Sequence, residues 1–373
     1  MERIVARLDS DALKSNYHAI QDLVPEQSIL PMIKADGYGH GAAWVARELM
    51  HLSGLYGFGV ATLEEGGALR KELGARARRM KIVVFSGGIP WNETKGRFCE
   101  KHGLTPVIAT DADWHAFLRG GWAERISYEL KFNTGMNRLG MTLNLAPAVA
   151  RALRNKPAIS HPDGVFSHLA IGESPEARLS RSQVEKFIWL KSQLAPAFPS
   201  TQFHLANSAG IWNHKLFGMS DITDAVRPGL SLYGIPPWKG APARGLLPVL
   251  TLDAHVVHVH RLKAGDTVGY GATYEVEGTK PTYVAILAAG YADGISRVLS
   301  NQGHAWIHHK LTRFVGRVSM DLCAIACPEG TKTGEWAQLL GPHIDPWAQA
   351  AAAQTIPYEL LTSLSSRVQR VYG

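Results

Sequence analysis

The pattern of hydrophobic and polar positions differs between two parts of the chain. Over the first 235 residues, short apolar runs rich in β-branched residues alternate with longer stretches whose apolar residues recur at helical spacing. Each run is long enough for a strand and too short for a helix. The eight runs are Ser28–Ile33, Leu55–Ala61, Lys81–Ser86, Leu104–Ala109, Arg125–Leu130, Gly164–Ser167, Gln202–Ala206 and Ala225–Arg227. Eight strand–helix cycles over this length are typical of a (β/α)8 barrel, and a doubly wound open sheet is the main alternative.

The stretches between these runs predict amphipathic helices. One apolar stripe at positions i, i+3, i+4 and i+7 starts at Ala42, and another starts at Val184. Asp111 is expected to cap the helix that contains Trp114–Leu118, because an aspartate side chain accepts hydrogen bonds from the first free N–H groups of a helix.

After Pro236 the pattern changes, since prolines at 236, 237, 242 and 248 mark a linker and strand-like runs then follow without helices between them. The runs are Val249–Arg261, Tyr283–Ala288, His304–His308, Phe314–Val318 and Leu322–Ala326. Trp347–Tyr372 is helical or mixed. The sequence therefore predicts an α/β chain with a (β/α)8 barrel over residues 1–236 and a mostly β C-terminal domain over residues 237–373. Ile4–Leu8 is expected to join that β domain as a strand.

Composition and charge narrow the class of partner. The chain has 373 residues, of which 46% are hydrophobic and 19% are charged, as in an ordinary globular protein. Its net charge of +7 is spread along the chain, whereas a nucleic-acid binder more often shows one concentrated basic stripe. We therefore expect attraction for small anions, with no nucleic acid and no membrane as partner, because no apolar run is long enough to span a bilayer.

Cysteines and the N-terminal segment point to a reducing compartment. The three cysteines, Cys99, Cys323 and Cys327, form neither a disulfide framework nor a zinc pattern. The first residues lack the apolar stretch of a signal peptide, so a cytoplasmic location is expected. His258 and His260 share a strand face without a third ligand at fixed spacing, and no metal site is predicted.

Polar side chains stand where several predicted strands end. In a (β/α)8 barrel these ends meet at one mouth, so their side chains should converge. A lysine that leaves an apolar strand is partly desolvated, which lowers its pKa and lets the amine form a Schiff base. A serine hydroxyl and the N–H groups that follow Pro228 suit an anion. Each residue alone also fits a structural role, but together they predict a phosphate-bearing cofactor. The residues are Lys34, Lys131, His168, Asn207, Ser208, Arg227 and Gly229.

Nine segments, in order and over nearly the whole chain, resemble the motifs of the alanine racemases. They are PMIKADGYGHG, KFNTGMNRLG, GVFSHLA, HLANSAG, VRPGLSLYG, VGYGATY, AAGYADG, VGRVSMD and IPYELL. The resemblance implies a pyridoxal 5'-phosphate enzyme that interconverts L-alanine and D-alanine. It also implies the barrel and the β domain, and a homodimer in which each second domain completes the partner's active site.

The resemblance also implies roles for individual residues. Lys34 would carry the cofactor as an internal aldimine and move the α-proton on the D-alanine side, and Tyr270 of the other subunit would be the base on the L-alanine side. His168 would pack against the pyridine ring, Arg227 would face its nitrogen with support from His204, and Arg138 would contact the phenolic oxygen and the substrate. The cofactor phosphate would be held by Tyr38, Ser208, the backbone near Gly229, and Tyr358, and Asn207 would also bind the cofactor. The backbone of Met320 would bind the substrate carboxylate, and Arg317 and Asp321 would shape the site.

Position 133 departs from the family pattern. Relatives often have K-x-D-T-G-M in this segment, and the lysine is carbamylated in many of them. Here Asn133 replaces the aspartate. Lys131 is expected to support Arg138, and its carbamylation stays open.

Other functions remain alternatives. A broad-specificity amino-acid racemase or a pyridoxal-phosphate decarboxylase would use the same scaffold. A non-catalytic pyridoxal-phosphate binding protein would resemble the barrel alone, and the second domain with Tyr270, Met320 and Tyr358 argues against it. An alanine racemase would either supply D-alanine for peptidoglycan or degrade alanine.

Overall fold

The computed structural model describes residues 3–74, 77–154 and 161–373. The chain starts with strand β1 (Ile4–Leu8) and helix α1 (Ser10–Leu23). Eight parallel strands follow: β2 (Ser28–Ile29), β3 (Phe58–Val60), β4 (Ile82–Val84), β5 (Thr105–Ile108), β6 (Glu129–Lys131), β7 (Gly164–Phe166), β8 (Gln202–Asn207) and β9 (Ala225–Arg227). Each lies within or overlaps one of the eight predicted runs.

These eight strands pair in the order β2-β9-β8-β7-β6-β5-β4-β3. The two ends of that order also meet, because Ile29 bridges Leu55 and Met32 bridges Gly59 in parallel. The sheet is therefore closed, the predicted (β/α)8 barrel is confirmed, and the open doubly wound sheet is wrong.

Helical segments lie between the barrel strands. They are α2 (Lys34–Tyr38), α3 (Ala42–Leu49), α4 (Leu63–Leu73), α5 (Glu93–His102), α6 (Asp111–Arg119), α7 (Ala146–Arg154), α8 (Arg178–Leu194), α9 (Ser208–Trp212) and α10 (Met219–Ile222). The stripes that start at Ala42 and Val184 fall in α3 and α8, as predicted. In the described part of the chain, no helix has the length and apolarity to cross a membrane.

The predicted cap of α6 is wrong by one residue. Thr110 has extended backbone angles, and its hydroxyl accepts the Asp113 N–H at 3.0 Å, so Thr110 is the N-cap. Asp111 is the first helical residue, and its carboxylate accepts hydrogen bonds from the N–H and hydroxyl of Thr142 at 3.0 and 2.8 Å. The local pattern assigned the Asp111 side chain to the helix cap, but that side chain instead binds Thr142, which is distant in sequence.

The C-terminal part is mostly β-sheet. Its strands are β10 (Leu250–Leu262), β11 (Thr267–Val268), β12 (Tyr274–Glu275), β13 (Thr282–Leu287), β14 (His304–Ile307), β15 (Lys310–Arg313), β16 (Cys323–Cys327), β17 (Trp336–Leu340) and β18 (Gln369–Tyr372). Two short helices, α11 (Pro346–Ala352) and α12 (Pro357–Thr362), precede β18, so the last segment is mixed as expected. Strand β1 pairs antiparallel with β10 and parallel with β18, which confirms that Ile4–Leu8 joins this sheet.

One predicted strand is misplaced. His308 and His309 both have positive φ, at 50° and 59°, and form the two-residue turn between β14 and β15. Because of this turn, strand β15 begins at Lys310 and ends at Arg313. The predicted run Phe314–Val318 then forms only an isolated bridge, from Phe314 to Ile325.

Candidate active site

A cavity of about 470 Å³ opens at the carboxyl ends of the barrel strands. The structure brings most of the predicted site residues to its wall: Lys34, Tyr38, Lys131, Arg138, His168, Asn207, Ser208, Arg227, Gly229 and Tyr358. Tyr358 reaches it from α12, so the second domain of the same chain also lines the Lys34 cavity.

Lys34 stands at the start of a left-handed turn. Ala35, Asp36 and Tyr38 have φ values of 51°, 51° and 54°, in the region that residues with a Cβ rarely adopt. Glu65 stabilises the turn, because its carboxylate accepts the Ala35 N–H at 2.8 Å. The other oxygen of Glu65 accepts the Ala61 N–H at 2.7 Å, so one side chain connects the Lys34 turn to the start of α4. Backbone strain of this kind persists only where the surrounding contacts stabilise it, and such strained residues cluster at functional sites.

Four cationic side chains share the cavity: Lys34, Lys131, Arg138 and Arg227. Burial, followed by the charges of Arg138 and Arg227, lowers the pKa of Lys131 to about 8. Burial and the Arg138 charge also lower the pKa of Lys34, and Glu65 partly opposes them. Both amines are therefore more readily uncharged, and so more nucleophilic, than lysines in water.

Arg227 is held almost without freedom. Its Nη1 donates to Nδ1 of His204 at 2.6 Å, and its Nη2 donates to the carbonyl oxygens of Ser167 and Leu205 at 2.7 and 3.1 Å. Burial lowers the pKa of Arg227 to about 10, which still leaves the guanidinium charged at neutral pH. Burial and the charge of Arg227 keep the pKa of His168 well below its ordinary value, so that imidazole is neutral.

Hydroxyl and backbone donors meet at one end of the cavity. The Ser208 hydroxyl accepts the N–H groups of Gly229 and Ser231 at 2.9 and 3.4 Å. A Cβ at Gly229 would lie only 2.6 Å from the phenol oxygen of Tyr38, so the glycine leaves room for a cradle of donors. Tyr38 also lies 5.9 Å, ring centre to ring centre, from Tyr358. Two phenols, a serine hydroxyl and a backbone N–H fit a phosphate, and the nearby cations match its charge.

Asn207 and Asn133 have local structural contacts. The Asn207 side chain caps α9 by accepting the Gly210 N–H at 3.0 Å, and its amide lies 3.4 Å from Nε2 of His168. Asn133 accepts the N–H groups of Gly135 and Asn137 at 3.0 and 3.1 Å, and so shapes the loop that leads to Arg138. An aspartate would offer the same acceptor oxygen, and replacing it by asparagine leaves these loop contacts in place.

The other predicted residues of the second domain do not line this cavity. Tyr270 is 73% exposed, on a turn after β11, beside Arg317 in a separate surface depression. Met320 is exposed, and its carbonyl oxygen accepts the Ala292 N–H at 3.0 Å. The Asp321 carboxylate accepts a hydrogen bond from Arg367 at 2.7 Å. Within one chain, these residues are therefore separated from Lys34.

The sequence analysis did not identify two acidic residues near the site, the half-buried Glu65 and the buried Glu129. Glu65 completes a capping box with Thr62, and the pattern T-x-x-E ahead of an apolar stretch is a recognisable signal. Glu129 lies two positions before Lys131 on β6, so the alternation of a strand places both on the face that looks into the barrel. Together with the cavity, the fold defines a (β/α)8-barrel protein whose mouth offers donors for a phosphate beside a desolvated lysine.

Comparison with known proteins identifies the family. The model of the alanine racemase N-terminal domain matches residues 8–237, and that of the C-terminal domain matches residues 249–372. The chain belongs to the alanine racemase family, which depends on pyridoxal phosphate. A catabolic alanine racemase of Agrobacterium fabrum (strain C58) is 36% identical over 377 residues, which cover 98% of this chain and 91% of the relative.

Solved structures agree with this assignment. The biosynthetic alanine racemase from Pseudomonas aeruginosa superimposes with a TM-score of 0.87 at 29% identity, over all of both chains. The alanine racemase from Bartonella henselae with covalently bound pyridoxal phosphate superimposes with a TM-score of 0.85 at 27% identity, again over all of both chains. The neighbours share the two-part architecture described above.

Proposed function

We propose that the Lys34 cavity is where this racemase interconverts L-alanine and D-alanine. The observation that carries the proposal is the convergence, on one cavity, of a strained lysine turn, a cradle of phosphate donors and a fully buried arginine. We divide the chain accordingly into a cofactor-binding barrel over residues 1–236 and a domain over residues 237–373 that completes the partner's site.

The donor set fits pyridoxal phosphate. Tyr38, Ser208, Gly229 and Tyr358 would hold its phosphate, and Arg227 would face its ring nitrogen. When bound, the cofactor supplies a carbonyl carbon that joins an amine and a ring that delocalises the charge left at the α-carbon. Because an arginine only donates hydrogen bonds and is charged, Arg227 disfavours protonation of the ring nitrogen.

Racemisation removes the α-proton from one face and returns a proton to the other, so it needs a proton carrier on each side. Lys34 Nζ holds or gives the proton on the D-alanine side. Tyr270 does so on the L-alanine side, and Met320 with Arg138 binds the substrate. Since Tyr270 is exposed and separate from the Lys34 cavity of its own chain, a second copy of the chain would supply it. Lys131, Arg317 and Asp321 support this arrangement.

Borohydride reduction followed by peptide mapping tests the role of Lys34. Reduction traps the cofactor on the lysine that holds it, and we expect the label in the peptide that contains Lys34 and in no other. Lys34→Arg keeps the cation but should take no label, stay colourless with added cofactor and leave L-alanine optically pure. Label on another lysine would contradict the assignment.

Tyr270→Phe tests the second base, and Tyr274→Phe in the same hairpin is the matched control. A general base contributes roughly 10²- to 10⁴-fold, so Tyr270→Phe should lower kcat for L-alanine by at least about a hundredfold. Tyr274→Phe should change it little. Normal racemisation by Tyr270→Phe in both directions would rule out the role.

Substrate range and cellular role complete the proposal. Profiling with alanine, serine, lysine and arginine separates an alanine racemase from a broad-specificity racemase, and released CO₂ would reveal a decarboxylase. We place the enzyme in the cytoplasm, where it would supply D-alanine for peptidoglycan or degrade alanine. Cell fractionation and the growth of a deletion strain without D-alanine test these points.

A further inference from the structure

We infer that Glu129 is a positioning residue of this enzyme: inside the barrel, it acts through His204 to hold the Arg227 guanidinium at the wall of the Lys34 cavity. The inference rests on the proposed function, because it concerns the arginine that would face the cofactor. Glu129 itself does not line the cavity.

A line of close polar contacts connects the two residues. Arg227 Nη1 donates to Nδ1 of His204 at 2.6 Å, and Nε2 of His204 lies 3.3 Å from Oε2 of Glu129. Within the described chain, neither Nε2 nor Oε2 has a hydrogen-bond partner, so these two buried polar atoms are left facing each other. A guanidinium only donates, so Nδ1 must accept, and the proton of the neutral imidazole then sits on Nε2, 3.3 Å from the carboxylate.

A glycine provides the space for this contact. Gly164 lies on β7, between Glu129 on β6 and His204 on β8, and it pairs directly with Glu129. A Cβ at Gly164 would lie 2.8 Å from Oε1 of Glu129 and 2.9 Å from Nε2 of His204. Any other residue would push the two side chains apart.

The contact between Glu129 and His204 brings a buried negative charge close to the buried positive charge of Arg227. Glu129 and Arg227 are both buried, and a buried charge is tolerated only when it is paired and hydrogen-bonded. Burial opposes ionisation of Glu129, but His204, Lys81 and a hydrogen bond from Tyr56 at 3.0 Å overcome it and hold its pKa below the ordinary value. The carboxylate in turn favours the charged form of Arg227.

Without the carboxylate, the Arg227 guanidinium loses its buried counter-charge. It keeps two main-chain carbonyls, Nδ1 of His168 at 3.3 Å and a weaker acceptor in His204. Charge-assisted hydrogen bonds are roughly twice as strong as neutral ones, so we expect Glu129→Gln to lower kcat by about tenfold while KM for L-alanine changes by less than about twofold. Arg227 stays present but is less well placed.

The experiment combines spectroscopy of the cofactor-free protein with kinetics. In histidine-labelled wild type, ¹⁵N–¹H spectra should show His204 protonated on Nε2 only, and Glu129→Gln should move that proton signal upfield. Gly164→Ala keeps every charge and should move it in the same direction. Asp113→Asn is the matched control, since Asp113 is a buried carboxylate on α6 that accepts the Trp91 N–H at 2.6 Å, and it should leave the signal and kcat unchanged.

A double-mutant cycle decides whether Glu129 acts through the arginine. Glu129→Gln in an Arg227→Lys background should cost no further kcat. Independent, multiplying effects, an Nδ1-protonated His204 in wild type, or an unmoved signal in Glu129→Gln would each overturn the inference. If Glu129→Gln does not fold, Tyr56→Phe and Gly164→Ala provide the spectral test. A wild type that binds no cofactor and leaves alanine unchanged would refute the proposed function. The spectra would still test the contact between Glu129 and His204 in that case.

Discussion

Burial decides which side chains of this molecule carry charge. Lys34 and Lys131 lose part of their preference for the ammonium form, because both lie in a cavity with other cations. His168 and His204 are neutral for the same two reasons, burial and the charge of Arg227. Three groups that sequence patterns place at strand ends, Lys34, Lys131 and His168, thus acquire their chemistry from desolvation, as does His204 within β8.

His40 provides a prediction at this scale. Its imidazole is fully buried against the Tyr233 ring, with Nδ1 2.9 Å from the Tyr38 carbonyl oxygen, and burial lowers its pKa to about 4. Between about pH 4 and pH 6.5 the unfolded state binds a proton that the folded state does not, so acidification through this window should cost about 3 kcal/mol of unfolding free energy.

Urea unfolding at several pH values measures this dependence, with His40→Asn for comparison. The variant should lose that part of the slope between about pH 4 and pH 6.5, whatever its stability at neutral pH. Above about pH 7 the two curves should run parallel, which is the internal control. Equal slopes for both proteins in the acid window would contradict the assignment.

At the scale of elements, the turn that carries Lys34 depends on a neighbouring helix. Thr62 and Glu65 close the first turn of α4 as a capping box, and the same Glu65 carboxylate accepts the Ala35 N–H. A stable helix end therefore holds a turn whose residues have unfavourable φ values.

Glu65→Gln should loosen this turn, because the amide cannot replace both charged acceptor oxygens. We expect a loss of about 1–2 kcal/mol in unfolding free energy and faster hydrogen exchange at the amides of the Lys34 turn. Glu64→Gln is the matched control, since Glu64 is the exposed neighbour on the same helix and should cost less than about 0.5 kcal/mol. Unchanged hydrogen exchange at the amides of the Lys34 turn in Glu65→Gln would show that Glu65 is only a helix cap.

At the scale of the whole molecule, the second domain contacts the Lys34 turn. Arg370 on β18 donates to the Gly39 carbonyl oxygen at 3.0 Å, and a Cβ at Gly39 would lie only 2.3 Å from the Leu361 carbonyl oxygen. Tyr358 lines the Lys34 cavity from the same region, whereas Tyr270 is far out on the surface. The second domain therefore lines the Lys34 cavity of its own chain with Tyr358 and leaves Tyr270 exposed.

Mixing two inactive variants tests the shared site. If each site takes its lysine and its tyrosine from different subunits, as proposed, a heterodimer of Lys34→Ala and Tyr270→Phe chains has one site with both changes and one site with neither. After unfolding and refolding an equal mixture, about a quarter of wild-type activity should return. The separately refolded variants are the control, and a mixture as inactive as they are would contradict sharing between subunits.

Much of the site could be predicted because strand order fixes where polar residues meet. Once eight parallel strands form a barrel, the residues after their carboxyl ends share one mouth, so Lys34, His168 and Arg227 converge. The sequence pattern could not predict contacts between distant residues, such as the hydrogen bond of Asp111 with Thr142 that replaces the predicted helix cap. It also did not show the His308-His309 turn, which places β15 before the predicted run.

The sequence by itself determined the barrel, the β domain, the family and the residues at the mouth, because periodicity, strand ends and ordered motifs are written along the chain. Only the tertiary structure decided which groups are desolvated, how the Lys34 turn is held, and that Glu129 reaches His204 past a glycine. Those properties depend on distances of a few ångströms between residues far apart in sequence, and no linear pattern records such distances.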